Sequence, residues 1–544
     1  MDQKESKDVD VSSHIENAET VPAQSGTLID ENLVRAENED KITPYFIFLI
    51  SVAAIAGFLF GYDTAIVGSA LPMVGSDLGH VLDAQEQEII TAGTTIGAIF
   101  GALILGGLAD KLGRKWSMAI SDIAFTIGAV IIAASYSVAQ MVVGRIILGV
   151  GVGGAAVIGP LYIAELAPTA VRGRCIGTNA FFIPFGQVVA SALGAAFQAK
   201  VPYHIGWRLL FALGVVPSMV QLCLMHFLPE SPRVLILRDQ EDKARAALRT
   251  IYRGATEEVI EFKLRVVTHY VEATTALQRQ YTVRERAMIY WTNKPYRRAI
   301  IAVSAVQAFG QLTGFNTLLY YSSTIFGLLG LKNSAAAGLI PASGNAIFLF
   351  IGMTVVDRFG RRKLLVTIIP GMIIGLFWAM ISFYFLTKET GGQLDSNHQY
   401  SSALVGSVLG AIVLFTCSFG LTYSHIVWYQ SEFLALEIRA AGSAIATTSC
   451  WIANLVVSVA YLSQLNSLTA AGTYGFYLAL IIIGYVFVIF CYPETKGLSI
   501  DETSSIFQHG FGVKKADAML REKIAFQKRL NAANVSAPDG GASA

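Results

Sequence analysis

Apolar residues gather along the chain into twelve runs of about 20 residues, separated by polar or charged stretches. An apolar helix of about 20 residues is about 30 Å long, the thickness of the hydrocarbon layer of a bilayer. The pattern therefore predicts twelve membrane-spanning helices. They are expected near 44–70, 89–109, 116–136, 140–163, 176–199 and 207–228, and then near 299–326, 334–356, 364–387, 404–428, 440–464 and 472–492.

Polar segments divide these runs into two sets. Residues 1–43 hold eleven acidic and four basic residues and are predicted to form a disordered cytosolic tail. Residues 229–298 hold fourteen Lys or Arg against nine Asp or Glu and are predicted to form a cytosolic domain of short helices. A charged tail follows at 493–544. The organisation predicted is thus a six-helix half at 44–228, a linker domain, and a second six-helix half at 299–492.

Composition strengthens the membrane prediction and excludes several classes of function. Of the 544 residues, 53% are hydrophobic and only 15% are charged, whereas a soluble chain carries about a quarter. The net charge of +1 gives no reason to expect a nucleic-acid partner. The five cysteines stand at no metal-ligand spacing, and no nucleophile–base set or cofactor loop is evident. We therefore expect no enzyme activity, no metal and no cofactor.

Basic residues collect in the loops on one side of the predicted bundle. Membrane proteins keep such loops in the cytosol, so both termini and the linker are expected there. The basic residues on this side are Lys111, Arg114, Lys115, Arg172, Arg174, Arg361, Arg362, Lys363 and Arg439, against Lys200, Arg208, Lys332 and Lys388 on the other.

The two halves repeat the same short motifs at their cytosolic ends. Gly-Arg-Lys at 113–115 matches Gly-Arg-Arg at 360–362, and Pro-Glu at 229–230 matches Pro-Glu at 493–494. Two similar six-helix halves around a central site are typical of secondary transporters.

Nine motifs in order resemble the major facilitator superfamily and, within it, the sugar porter family. They are FGYD at 60–63, GGLADKLGRK at 106–115, GRIILGVGVGG at 144–154, YIAELAP at 162–168, VRGR at 171–174, PESPR at 229–233, QLTGFNTLLYYS at 311–322, DRFGRR at 357–362 and PETKG at 493–497. The resemblance covers about 44–510 and implies an all-α membrane protein, with twelve transmembrane helices in two pseudo-symmetric halves.

Within that family the chain most resembles the fungal myo-inositol transporters. The grounds are the Gln-Leu-Thr-Gly-Phe-Asn run at 311–316, a Trp at 428 four residues before Glu432, and the tail sequence at 492–511.

Asp63 is the only charged residue in the first span, and Arg145 is the only charged residue in the fourth. Both stand five to seven residues from the outer end of their spans, so they share a depth. Charges inside a membrane are costly, and they usually face the bundle interior and act there. We expect them to pair and to couple transport to protons, as the resemblance implies for an Asp in this motif. The alternative is a static buried ion pair.

Amide and aromatic side chains inside the spans are the candidates for substrate binding. Gln311 and Asn316 flank a Thr-Gly step, where glycine permits the helix to unwind and to aim both amides at a cavity. Amides bond hydroxyl groups, and aromatic faces cover the C–H surface of a ring. The candidates are Gln187, Gln311, Asn316, Tyr320, Trp428 and Trp451. For most other aromatic residues, packing is the favoured reading.

Three positions and one segment depart from the sugar porter pattern and make the pocket less polar. Gly310, Ala180 and Cys450 stand where the family commonly has amides, and the segment 423–427 replaces a Pro-rich stretch. D-Glucose is therefore a doubtful substrate. His425 lies in that segment and either binds substrate, titrates or pairs with a neighbour, the last being favoured.

Charged residues at the cytosolic helix ends are predicted to form a gate between the halves. The expected pairs are Asp110 with Arg114, Glu165 with Arg172, Asp357 with Arg361, and Glu432 with Arg439, and Glu230 and Arg233 are expected to extend the gate to the linker. Such pairs would favour an outward-open state and break as the inside opens. The alternative is that these charges only orient the chain.

The function predicted is import of a polyol or monosaccharide, most of all myo-inositol, across the plasma membrane by proton symport. The chain is expected to act as a monomer in the lipid bilayer. The alternatives are a hexose or pentose symporter, a nutrient-sensing receptor on the same fold, and an exporter of a small metabolite.

Overall fold

The structure is a computed structural model. The residues that it describes are 42–168, 171–280, 283–331, 333–395, 398–435, 438–496, 498 and 500–536. Within these ranges all regular secondary structure is helical. The tail predicted at 1–43 lies outside the described residues except for its last two positions, and the end of the second tail, 537–544, also lies outside them.

The first half contains six spans. They are Pro44–Val74, Ala84–Leu112, Arg114–Ala133, Val138–Leu166, Arg172–Lys200, and a sixth span made of Tyr203–Leu213, Val215–Leu224 and the 3-10 turn Met225–Phe227. Polar side chains cap the start of three spans, and the second and fourth spans begin before their predicted apolar runs. Thr43, Asp83 and Ser137 each accept a backbone N–H of the first turn of the helix that follows.

The linker and the second half follow. The linker contains Pro232–Leu237, Glu241–Ile251, Glu257–Gln280 and Val283–Thr292. In the second half, the seventh span contains Lys294–Leu312, Phe315–Tyr320 and Ser322–Leu328, and the eighth contains Ser334–Ala337 and Leu339–Phe359. The ninth is Arg361–Leu386, and the tenth contains Ser402–Gly420, Tyr423–Ile426 and the 3-10 helix Val427–Glu432. The eleventh contains Arg439–Ser458, and the helix Tyr461–Cys491 follows it. The 3-10 helix Phe507–His509 joins the carboxy-terminal helices Ile500–Ile506 and Val513–Ser536.

Eleven of the described helices are long and apolar enough to cross a membrane. The seventh predicted span is not among them, because it is broken into three helices and the longest of these, Lys294–Leu312, begins with the basic residues Lys294, Arg297 and Arg298. Large apolar side chains cover the outside of the bundle, among them Phe100, Ile104, Ile127, Ile374, Phe377 and Phe385. Such a surface is stable against lipid and not against water, and the chain is a multi-pass membrane protein.

The long helix Tyr461–Cys491 is a hairpin rather than one straight rod. Sixteen helical residues would span about 24 Å, yet the ring centroids of Tyr461 and Tyr477 lie 6.1 Å apart. The chain reverses at Thr469, where φ is +67°. Residues 461–468 therefore extend the eleventh span, and the twelfth begins after Thr469.

The second and fourth spans touch through their backbones. A Cβ atom at Gly97 or Gly101 of the second span, or at Gly149 or Gly153 of the fourth, would collide with a carbonyl oxygen of the other helix. Small residues permit this close approach, which is the usual way that membrane helices pack. The contact fixes the fourth span, and with it Arg145, against the second.

The bundle has two ends, which we call the linker face and the far face. The linker face carries the helices of 232–292 and the turns at Gly113 and Gly360. The far face carries the loop at 75–83 and the turn at Thr469.

Candidate functional site

Asp63 and Arg145 meet inside the first half. Nη1 of Arg145 lies 2.5 Å from Oδ1 of Asp63, and both side chains are almost fully buried. Nε of Arg145 also donates to the carbonyl oxygen of Ile90 at 3.2 Å, and its guanidinium lies 5.8 Å from the ring centre of Phe211. The structure therefore brings together the two charges that stood alone in the sequence. Their role in coupling stays a prediction.

The seventh span breaks at Thr313 and Gly314, where the sequence places its helix-breaking step. Gly314 has φ +79° and ψ 11°, a left-handed conformation that glycine adopts without steric cost. Across the break, Nδ2 of Asn316 donates to Oε1 of Gln311 at 2.6 Å. Nε2 of Gln311 donates in turn to Sγ of Cys450 at 3.2 Å. The two amides thus bond each other, whereas the sequence suggested that both point into a cavity.

Gln187 connects the two halves in the middle of the fifth span. Its Oε1 atom accepts a hydrogen bond of 3.0 Å from Nδ2 of Asn345 in the eighth span. Both side chains are buried. A buried amide without a partner is costly, so this bond contributes to the contact between the halves in the state described.

Tyr320 and Trp451 lie on facing spans, and each has a further neighbour. Nδ2 of Asn454 donates to the Tyr320 hydroxyl at 3.0 Å. The ring of Trp451, one turn before Asn454, lies 5.2 Å from that of Phe60 in the first half. Within the described residues the buried Nε1 atom of Trp451 has no hydrogen-bond partner, so it is available to donate to a bound group.

Trp428 and His425 stand apart from these residues. Trp428 is half-buried in the 3-10 helix, and in the described part of the chain no hydrogen bond or ring contact joins it to the other candidates. His425 is buried against Gly352, and its Nδ1 atom lies 3.3 Å from the carbonyl oxygen of Gly420. This contact matches the favoured reading of His425 as a residue that pairs with a neighbour.

Sequence reasoning missed several buried amides, and three of them are Asn345, Asn454 and Gln307. Asn345 and Asn454 are described above, and Gln307 donates to the carbonyl oxygen of Val427 at 3.0 Å. Each is nearly fully buried within an apolar run. The burial cost that singled out Gln187 applies equally to them, so the same signal was present in the sequence.

The first charge cluster lies where the second, third and fourth spans meet the linker. Nε and Nη2 of Arg114 contact the two oxygens of Glu165 at 3.0 and 2.7 Å, and Asp110 lies 2.5 Å from Nη1. Arg233, in the first linker helix, lies 3.8 Å from Glu165. Glu230 accepts the backbone N–H of Arg114 at 2.8 Å and so caps the third span.

The second charge cluster repeats the first in the other half. Arg361 contacts Glu432 at 2.9 Å and Asp357 at 3.2 Å. Glu494 accepts the backbone N–H of Arg361 at 2.9 Å, as Glu230 does in the first half. A Cβ atom at Gly360 would collide with the Glu494 carboxylate. In each half, therefore, the Glu of the Pro-Glu motif caps the helix that begins at the Arg of the Gly-Arg motif.

Two of the predicted gate pairs are wrong. Glu165 pairs with Arg114 rather than Arg172, which is exposed and forms no ion pair in the ranges the structure describes. Glu432 pairs with Arg361 rather than Arg439, whose Nη1 atom lies 3.5 Å from the Tyr270 hydroxyl. The ion pairs form between residues whose helix ends are neighbours in space, and not between residues that are close along the chain.

The position of the clusters is also different from the prediction. In the described residues the ion pairs of each cluster stay within one half and the linker beside it. The two halves are connected here through the linker, where Arg233 lies 5.6 Å from the ring centre of Tyr270 and the Tyr270 hydroxyl accepts from Arg439. The ion pairs themselves tie helix ends together within a half.

The chemistry available at the centre is hydrogen bonding and proton exchange. Amides offer donors and acceptors to hydroxyl groups, and the free indole N–H offers another donor. A buried carboxylate beside a guanidinium can change its charge when it takes up a proton. Within the described residues no group of three His, Cys, Asp or Glu side chains is placed to hold a metal ion.

These features define a membrane transporter of the major facilitator type. A family model described as "Sugar (and other) transporter" matches residues 49–507, and the chain belongs to this family.

Its relatives are transporters of named substrates. The chain is 74% identical over 519 residues to "Myo-inositol transporter 2" of Cryptococcus neoformans var. grubii, covering 95% of this chain and 94% of that protein. It is 35% identical to "Myo-inositol transporter 2" of Schizosaccharomyces pombe, covering 93% of this chain and 90% of that protein.

Solved structures share the fold. The xylose transporter XylE from E. coli, in a partially occluded inward-open conformation, matches with a TM-score of 0.69 at 25% identity, covering 84% of this chain and 100% of that chain. A structure of the proton:xylose symporter XylE bound to 6-bromo-6-deoxy-D-glucose matches with a TM-score of 0.68 at 25% identity, covering 85% of this chain and 99% of that chain.

Proposed function

We propose that the protein imports myo-inositol together with protons across the plasma membrane by alternating access. The observation that carries the substrate is the 74% identity, over nearly the whole chain, to a protein named as a myo-inositol transporter. The name of the proton:xylose symporter that shares its fold supports coupling to protons.

The polar residues at the centre fit a ring that carries hydroxyl groups. Gln187 contributes from the first half, and Gln311 and Asn316 contribute from the second. A ligand hydroxyl can replace the amide–amide bond between Gln311 and Asn316, because amide and hydroxyl groups exchange partners at similar energy. The free Nε1 atom of Trp451 supplies a donor beside them. Tyr320 completes this set through its hydroxyl. Trp428 stays a candidate from the sequence alone, because no hydrogen bond or ring contact joins it to the set in the described residues.

Asp63 carries the proton in this proposal. With Asp63 ionised, Arg145 is held at 2.5 Å. Protonation removes the charge of Asp63 and releases Arg145, which remains bonded to the Ile90 carbonyl oxygen. A change of charge between two packed spans can bias the balance between inward- and outward-facing states.

The orientation proposed places the linker face in the cytosol. The basic residues of the linker and of the two charge clusters lie at this face, and basic loops stay in the cytosol. Both termini are then cytosolic, and the far face is extracellular. One hydrophobic core runs through both halves of a single chain, so we propose that one chain suffices for transport.

The proposal is tested by uptake of labelled myo-inositol, glucose, xylose and sorbitol in yeast that lacks its own transporters. Myo-inositol should accumulate above its outside concentration, and an uncoupler should abolish the accumulation. Preference for glucose or xylose would indicate a hexose or pentose symporter. Failure of all four substrates would favour a receptor or an exporter.

We predict that Asp63→Asn abolishes accumulation but leaves exchange of labelled for unlabelled myo-inositol. Asparagine mimics the neutral form of the carboxyl group, so the substrate site can still change sides while it no longer takes up a proton. Uptake at equal surface level, with and without an uncoupler, measures the effect. Asp77→Asn is the matched control, since Asp77 lies in a far-face loop and accepts from Trp207 Nε1 at 2.8 Å. Full accumulation by Asp63→Asn would contradict the coupling role.

A further inference from the structure

A buried carboxylate joins the two halves at the far face. Glu88 lies near the start of the second span and is only 3% exposed. Its two oxygens accept from the backbone N–H and from the hydroxyl of Ser463, each at 2.7 Å. Glu88 belongs to the first half and Ser463 to the second, so this contact exists only while the two halves touch here.

The partner of Glu88 is the beginning of a helix. Ser463 is the third residue of the segment 461–468 that extends the eleventh span. The first backbone N–H groups of a helix have no partner within the helix and carry partial positive charge. Glu88 therefore caps a helix that belongs to the other half. Among the described residues no basic side chain pairs with Glu88, and Ser463 supplies the hydrogen bonds to both of its oxygens.

Other contacts close the far face around Glu88. Gln198 of the fifth span contacts the Ser334 hydroxyl at 3.1 Å and accepts the Ala335 N–H at 2.8 Å. A Cβ atom at Gly68 of the first span would collide with the carbonyl oxygen of Leu319. Thr91, one turn after Glu88, is buried beside the Tyr321 hydroxyl of the second half. The path from the far face to the central site is thus shut by contacts between the halves.

We propose that Glu88 is a positioning residue of the transport cycle, which latches the far face shut by capping the start of segment 461–468 in the outer part of the eleventh span. This inference rests on the alternating-access function proposed above. When the far face opens, the hydrogen bonds between the Glu88 carboxylate and Ser463 break, and both residues bond water instead. The closed contact is therefore favoured only modestly, because hydrogen bonds to water replace those within the protein when it opens. Such a contact can hold the far face closed and still break in every transport cycle.

The latch is tested by thiol labelling of intact cells that carry Thr91→Cys as a reporter. Thr91 is buried when the far face is closed, and a membrane-impermeant maleimide reaches position 91 from outside only when the halves separate there. Adding Glu88→Gln to the reporter removes the charge and one acceptor. We expect the ratio of labelled to unlabelled protein to rise roughly tenfold, the scale of losing one charged hydrogen bond. The maximal uptake rate should fall more than KM changes, because return to the closed state becomes unfavourable.

Glu86→Gln is the matched control. Glu86 stands two residues earlier on the same helix, but its carboxylate contacts His80 and the Asp83 N–H within the same half. Its labelling should equal that of the reporter alone. Ser463→Ala removes the hydroxyl and keeps the backbone N–H, so its labelling should rise less than that of Glu88→Gln.

Unchanged labelling in both Glu88→Gln and Ser463→Ala, at surface levels equal to the control, overturns the proposal. If Glu88→Gln does not reach the surface, Ser463→Ala alone decides, and unchanged labelling again overturns it. The labelling needs neither myo-inositol nor a proton gradient. Failure of the latch is therefore distinguishable from failure of the proposed transport function, which the uptake assay reports.

Discussion

The two charge clusters at the linker face repeat the same residues in the two halves, but the first is buried more deeply. The side chains of Arg114 and Glu165 are 2% and 7% exposed, against 11% and 33% for Arg361 and Glu432. The partners differ as well. Glu165 receives two contacts from Arg114 and one from the Ser231 hydroxyl, whereas Glu432 receives one from Arg361 and one from the Thr495 hydroxyl.

This difference in burial and in hydrogen-bond partners indicates which half has the more rigid linker face. A buried ion pair is held by the cost of leaving either partner alone in a low-dielectric site. A partly exposed pair can exchange its partner for water at little cost. The first half, whose Arg114 also lies beside the linker through Glu230, is expected to hold its helix ends more firmly than the second.

Arg114→Ala should give the largest effect. It leaves Glu165 buried without its main counter-charge, which costs about 3–5 kcal/mol for a buried pair. We expect a large fall in the thermal melting temperature of the purified protein and in the amount that reaches the surface. A melting temperature equal to that of the native protein would show that water already enters this cluster.

Arg361→Ala, the same change in the second half, should destabilise less. Glu432 is one-third exposed, so water can solvate it once Arg361 is gone, and the expected loss is roughly 1–2 kcal/mol. The melting temperature should lie between those of the native protein and Arg114→Ala. The reverse order of the two variants would break the comparison between the halves.

Asp110→Asn and Asp357→Asn should give the smallest effects. Both carboxylates are more than half exposed, and exposed ion pairs contribute about 0–1 kcal/mol. Melting temperatures within a few degrees of the native value are expected for both, and their difference should be small in high salt. A marked loss in Asp110→Asn alone would indicate that it shares in the burial of Arg114.

The sequence predicted the spans well because lipid leaves few alternatives. An apolar run inside a bilayer must satisfy its own backbone hydrogen bonds, so it forms a helix of membrane length. The departures occur where this constraint relaxes. The eleventh span continues beyond its predicted end to Thr469, where the chain turns back, whereas the break at Gly314 falls at the Thr-Gly step that the sequence indicated.

The pairing of charges was less predictable. Glu165 was assigned to Arg172, seven residues away, but its partner Arg114 is 51 residues away. Nearness along the chain says little about helix ends that meet across a bundle. Asp63 and Arg145 were paired correctly because each was the lone charge at one depth, which leaves no other partner. Asn345 shows that the amide signal was present but was not applied to every span.

The backbone contact between the second and fourth spans limits how these helices can vary. Where side chains separate two helices, a larger residue on one can be offset by a smaller one on the other. At Gly97 and Gly149 neither helix has a side chain, so no residue on the facing helix can be replaced by a smaller one to make room for a larger one. Amino-acid changes there have no single compensating partner. The contact surface between the second and fourth spans, which holds Arg145 in place, is therefore expected to tolerate far fewer substitutions than the lipid-facing sides of the same two helices.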